Sequence, residues 1–117
     1  MPKMSQNQRA ETIIGDATSF KGTIISKENI RIDGKHEGEL TTQRDLVISE
    51  SGQVKGIVQA DNILLGGSLE GELKSTHKLM LLPSASFQGK AEMVTLIIEE
   101  GARFQGECQQ KEKEKRK

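Results

Sequence analysis

The chain has no tryptophan, no tyrosine and a single cysteine, and its apolar residues never form a long run. Each shortage excludes something. With Cys108 alone, no intramolecular disulfide can form, which favours a reducing compartment. The longest apolar run, Leu79 to Leu82, falls far short of the ~20 residues a membrane-spanning helix needs. Met1 to Ala10 is polar, and no apolar core follows it of the kind a secretory signal carries. Net charge is absent too: 17 basic residues balance 17 acidic ones. Nothing global therefore draws the chain to nucleic acid or to a strongly acidic partner. These absences predict a cytoplasmic protein that binds no nucleic acid. Hydrophobic residues make up only 33% of the 117 positions. That is low for a compact globule but suits a thin rod, which has little interior per unit surface. The missing large rings fit the same shape, because a narrow lumen has little room for them.

What is present is a repeat. An apolar-x-Gly-x-apolar phrase occurs six times, as Phe20-Lys21-Gly22-Thr23-Ile24, His36-Glu37-Gly38-Glu39-Leu40 and Val54-Lys55-Gly56-Ile57-Val58, then Leu69-Glu70-Gly71-Glu72-Leu73, Phe87-Gln88-Gly89-Lys90-Ala91 and Phe104-Gln105-Gly106-Glu107-Cys108. Its glycines are 16, 18, 15, 18 and 17 residues apart. A period this short is one coil of a β-solenoid, whose repeats bury their apolar faces only by stacking.

A second phrase, apolar-x-apolar, starts 7 or 8 residues after each of the first five glycines: Ile30-Arg31-Ile32, Leu46-Val47-Ile48, Ile63-Leu64-Leu65, Leu79-Met80-Leu81 and Leu96-Ile97-Ile98. Thr12-Ile13-Ile14 is its degenerate first member. Alternation puts the outer two residues of each phrase on one strand face. Corners such as Asp33-Gly34, Ser51-Gly52, Gly66-Gly67 and Pro83-Ser84 supply turn residues between them. From the end of each second phrase to the next first phrase the step is 6, 4, 6, 4, 6 and 6 residues. Even steps keep apolar side chains on one side, whereas a slip of one would turn them outward. The expected fold is all-β: a single-domain parallel β-helix of about six coils over residues 12–108. Polar tails, 1–11 and 109–117, are expected to flank it without order. Two interior columns follow, Ile14, Ile32, Ile48, Leu65, Leu81, Ile98 and Phe20, His36, Val54, Leu69, Phe87, Phe104. An exposed column, Lys21, Glu37, Lys55, Glu70, Gln88, Gln105, alternates in sign before ending in glutamines, as an in-register stack favours.

Chemistry is poorly served by this pattern. His36 and His77 fall in different coils without zinc-binding spacing, and His36 occupies an interior slot as a structural histidine. Cys108 sits in the last apolar slot, so a buried structural thiol is expected. The glycines mark coil length and form no phosphate loop. No catalytic residue, metal site or cofactor is predicted, and the chain reads as a non-enzyme. Two surfaces remain. The middle residues Val47, Leu64, Met80 and Ile97 form an apolar stripe suited to partners or lateral contacts. The open ends carry a row of unpaired backbone groups beside a cut apolar core, with Ile13, Ile14 and Phe20 at one end and Ile98 and Phe104 at the other. Stacking rod on rod would satisfy them, and isologous contacts at both ends would give an endless filament.

Six phrases in phase, the Ile32-Asp33-Gly34 corner and the short polar tails resemble the bactofilins over Thr12 to Cys108. The resemblance implies a right-handed β-helix that polymerises end to end into nonpolar filaments without nucleotide. It implies a bacterial cytoskeletal scaffold, under the inner membrane, that positions cell-wall enzymes or other morphogenetic proteins and influences cell shape or polarity. It assigns Phe104 to a terminal-coil contact, and a membrane-contacting N-terminal stretch to Met1, Lys3 and Met4. His36 departs from the family's aliphatic or aromatic slot. Two alternatives stand beside this reading. One is a monomeric or small-oligomer adaptor that docks partners on the apolar stripe. The other, ranked lower, is a hexapeptide-type acyltransferase, which the uneven coil lengths and the lack of an acyl-donor loop disfavour.

Overall fold

In the computed structural model, which describes residues 12–111, the two phrases become strands. They are β1 (Thr12–Ile14), β2 (Ser19–Ser26), β3 (Ile30–Ile32), β4 (Lys35–Thr42) and β5 (Asp45–Ile48), followed by β6 (Gln53–Leu65), β7 (Ser68–Leu81), β8 (Ser86–Met93), β9 (Thr95–Ile98) and β10 (Arg103–Gln110). Among the described residues there is no helix. All pairings are parallel, and each strand lies over its counterpart one coil earlier. The repeat glycines stack in one line, Gly22 on Gly38, Gly56, Gly71, Gly89 and Gly106, which defines six coils. The fold is the expected parallel β-solenoid. β10 runs to Gln110, two residues past Cys108, continuing the ladder with Gln109 beside Glu92 and Gln110 beside Met93.

The glycine column is where the sequence repeat acquires its physical cause. Gly56 and Gly71 have φ of 130° and 131°, a region side chains rarely enter. A Cβ built on either would also collide with the carbonyl oxygen of the glycine beneath it, Gly38 or Gly56. The chain therefore bends at each glycine while the backbones remain in ladder contact. The apolar-x-apolar phrase is a separate short strand in β1, β3, β5 and β9, and in β6 and β7 it is the end of the strand that carries the glycine.

Inside, four apolar columns meet. Ile14, Ile32, Ile48, Leu65 and Leu81 are buried, as are Ile30, Leu46, Ile63 and Leu79 beside them. His36, Val54, Leu69 and Phe87 form the third column, and Leu40, Val58, Leu73 and Ala91 the fourth. Corners are held by rung-to-rung hydrogen bonds. The amides of Ser49, Gly66, Leu82 and Glu99 donate to the carbonyls of Ile32, Ile48, Leu65 and Leu81 at 2.7–3.0 Å. Hydroxyls complete the set: Thr42 donates to the Glu28 carbonyl at 2.6 Å, and Ser75 to that of Asp61 at 2.8 Å, which is why both can be buried.

Coil length varies without loss of register because corners and one bulge absorb the difference. Thr76 and His77 of β7 lie opposite the single residue Asp61 of β6, between the pairs Ala60–Ser75 and Asn62–Lys78. The Asp61 carboxylate holds this bulge, accepting from Thr76 Oγ1 at 2.7 Å and lying 2.6 Å from His77 Nδ1.

Gly71→Ala should destabilise the protein by at least about 3 kcal/mol or abolish folding, because it adds both a disfavoured φ and a backbone collision. Gly15→Ala, where a Cβ meets nothing closer than Thr18 Oγ1 at 3.9 Å, should stay within about 0.5 kcal/mol of the parent. Urea denaturation followed by circular dichroism checks both.

Candidate assembly surfaces

A strand in the middle of this stack has neighbours on both sides. Among the described residues, those at the extremities have one: β1 pairs only with β3 and β2 only with β4, while β9 pairs only with β7 and β10 only with β8. Each end therefore shows an open parallel ladder edge. Natural edges are usually charged, bulged or covered. Here the inward positions of both terminal coils continue the apolar columns with no charge: Ile14, Phe20 and Ile24 at the first end, Leu96, Ile98 and Phe104 at the last.

Exposure rises at these positions for want of a next coil. Phe20 is 39% exposed and Ile98 45%, whereas their column mates His36 and Leu81 are 2% and 0% exposed. Ile13 is exposed, Ile14 is still buried, and Phe104 is half-buried against the core. Both ends finish in an aromatic stack. The Phe20 ring lies on His36 with centroids 5.5 Å apart and planes 10° apart, and Phe104 leans on Phe87 at 5.0 Å and 30°. Beyond each outer ring there is no further layer among the described residues.

Cys108 corrects one expectation. The inward slot is right, with Sγ 3.6 Å from the Met93 Sδ of the preceding coil, but the thiol is exposed because no further coil among the described residues is stacked above it.

The stripe also differs from its sequence reading. Val47, Leu64, Met80 and Ile97 do align in one column, preceded by Ile13 and Arg31. They are half-buried rather than fully outward, because each lies under and over a neighbour at ladder spacing. Arg31 turns its Nε to Asp33 Oδ1 at 3.0 Å instead of extending along the stripe. The structure thus gathers Ile13 with the stripe and Ile14 with the core, and separates the two ends by the whole stack. Met1, Lys3 and Met4 lie outside the described residues.

Two features were not read from the sequence. One is the column Ser26, Thr42, Ala60, Ser75, Met93, Gln110, whose mixture of polar and apolar residues hides an inward face. The other is the Asp61–His77 contact, created by the bulge. Asp61 is held below the usual carboxylate range, chiefly by the hydrogen bond to His77. Thr76 donates to Asp61 and not to the imidazole, so no hydroxyl-to-imidazole relay is formed.

A family model described as "Bactofilin: Polymer-forming cytoskeletal" matches residues 12–109. The chain belongs to the bactofilin family. A solved structure, a cryo-EM reconstruction of Thermus thermophilus bactofilin double helical filaments, matches with a TM-score of 0.79 and 32% identity over 83% of this chain and 96% of that one. No curated protein matches. Membership of this family makes the chain a polymer-forming cytoskeletal protein that associates with itself. Among the described residues no helix is long and apolar enough to cross a membrane.

Because the last coil is half wet, Ile98→Ala should cost under about 1.5 kcal/mol, against about 2–5 kcal/mol for Leu81→Ala in the same column. Chemical denaturation at dilute protein concentration distinguishes the two.

Proposed function

We propose that this chain polymerises end to end, without nucleotide, into nonpolar filaments that act as a scaffold in the bacterial cytoplasm. The observation that carries the reading is the pair of ends: an unpaired ladder edge, inward positions free of charge, and an aromatic residue with one face uncovered. Ile13, Ile14 and Phe20 form one assembly surface, Ile98 and Phe104 the other. A joint would pair the edge amides and carbonyls, each bond contributing about 0.5–1.5 kcal/mol net, and would cover the end columns. Nonpolarity follows if first end meets first end and last end meets last end, so that each contact is isologous. The Thermus filaments support polymerisation of this fold, and their double helical form calls for a lateral contact as well. The half-exposed column Val47, Leu64, Met80 and Ile97 suits that lateral contact. It also suits docking of cell-wall enzymes or other morphogenetic proteins through which the scaffold influences cell shape or polarity. Met1, Lys3 and Met4 are assigned to inner-membrane contact.

Phe104→Arg should retain the fold, with a melting temperature within about 5 °C of the parent, but form no filaments, since the joint would bury an unpaired guanidinium. Negative-stain electron microscopy of the untagged protein without nucleotide tests this, and normal filaments from the variant would count against the assignment. Cys108 supplies a second readout. Its thiol should react freely with a thiol reagent in the Phe104→Arg protein and be protected severalfold in parent filaments, because the joint covers the last coil.

A further inference from the structure

Among the described residues, the buried side-chain nitrogens and oxygens that lack any hydrogen-bond partner belong to one residue: Nδ1 and Nε2 of His36. The other buried polar side chains, Thr42 and Ser75, are both satisfied. His36 sits directly under the terminal coil, between Phe20 of β2 and Val54 of β6 in the same column. A phenyl ring closes one face of the imidazole and an isopropyl group the other. On the outer face of the sheet behind it, Ser19 and Lys21 from β2, Lys35 and Glu37 from β4, and Gln53 and Lys55 from β6 line a shallow depression. The charged side chains among these, three lysines and one glutamate, point outward on the opposite sheet face from the imidazole, and the glutamate carboxylate lies 3.9 Å from Lys21.

A neutral imidazole fits such a slot better than an imidazolium, whose protons would have no acceptor in hydrogen-bonding geometry and whose charge would lie in the apolar interior. Burial holds the His36 pKa below its ordinary value, and the Gly22 backbone, outside hydrogen-bond geometry, acts in the opposite direction. To charge, the ring must reach water. On the Val54 side the core of the solenoid blocks the way. On the Phe20 side the described residues form only one coil, paired along a single edge with no described layer beyond it. Peeling that coil is the cheaper route, as terminal elements open locally before the whole does.

We propose that His36 is a proton-sensitive latch under the first coil, and that its protonation displaces Phe20, opens β1 and β2, and removes the assembly surface at that end alone. The part that concerns filaments rests on the end-to-end reading above; the opening of the coil does not. The sign is fixed by the two states. In the open coil the histidine titrates near its ordinary value of about 6.5, and in the closed coil lower. The closed form is therefore fully favoured above about pH 6.5. Below that the open form gains about tenfold per pH unit until the closed-state value is reached. The Phe104 end contains no histidine and should be indifferent. Mildly acidic conditions then leave solenoids joined in pairs through their last coils.

The test uses the full chain at pH 7.5 and pH 5.5, with His36→Val as the variant, since valine occupies the next position of the column. Hydrogen exchange of Ser19–Ser26, corrected for the intrinsic pH dependence, should rise severalfold, up to about tenfold, on acidification in the parent and stay level in the variant. Electron microscopy and sedimentation should show parent filaments shortening to pairs while variant filaments persist. Level exchange in the parent, or equal acid sensitivity of parent and variant filaments, would overturn the proposal. If neither protein forms filaments at pH 7.5, the filament reading fails, and the exchange measurement on the parent still decides the latch.

Discussion

Everything in this molecule depends on one backbone resting directly on another at the repeat glycines. Where Gly71 crosses Gly56 there is no space for a Cβ, and the bend there uses a φ that side chains avoid. That contact fixes the register of every coil. Once Gly71 lies over Gly56, Leu69 must lie over Val54, Glu70 over Lys55 and Leu73 over Val58. The interior columns are a consequence of this alignment, and so is the alternating charge of Lys21, Glu37, Lys55 and Glu70 on the outside.

The same constraint explains why variation in coil length is harmless. The register is reset at each glycine and again at each apolar-x-apolar strand, so extra residues can be placed only between these points. The bulge of Thr76 and His77 opposite Asp61 is one such place, and the Pro83-Ser84 corner is another. At the bulge the extra backbone requires its own support, which the Asp61 carboxylate provides. A polar cluster that resembles chemistry in composition therefore has a structural cause.

How much of this was legible in advance follows from what repeats. The glycines, the alternating phrases and the even steps between them repeat, and they yielded the parallel solenoid, its six coils and the pairing of Lys21 with Glu37. Properties that depend on position along the stack do not repeat and were harder to read. Cys108 occupies the same slot as Ala91 and Leu73, yet it is exposed because it is last. Val47, Leu64, Met80 and Ile97 look outward in a single strand, and only their mutual coverage makes them half-buried. The Ser26 column escaped notice because Thr42 and Ser75 are polar by type and buried by virtue of hydrogen bonds to backbone carbonyls of neighbouring corners. His36 was legible as an interior residue, but its lack of any partner is a property of three coils together.

The two kinds of apolar surface on this solenoid differ in what can cover them. A lateral column covers itself in part, since each of its members shelters the next, and what remains exposed is shared among several residues. An end has no such recourse. Adding another repeat only moves the edge outward by one coil, with the same unpaired carbonyls and amides and the same cut columns. The exposed end is thus a property of the architecture that no number of repeats removes. It can be closed by a different structure or by another copy of the same one. Among the described residues β2 and β10 are uncapped, uncharged at their inward positions and aromatic in the same column. A surface built from the interior pattern is complementary to that interior pattern, so the interactions that hold coil to coil are also those available to hold one subunit to the next.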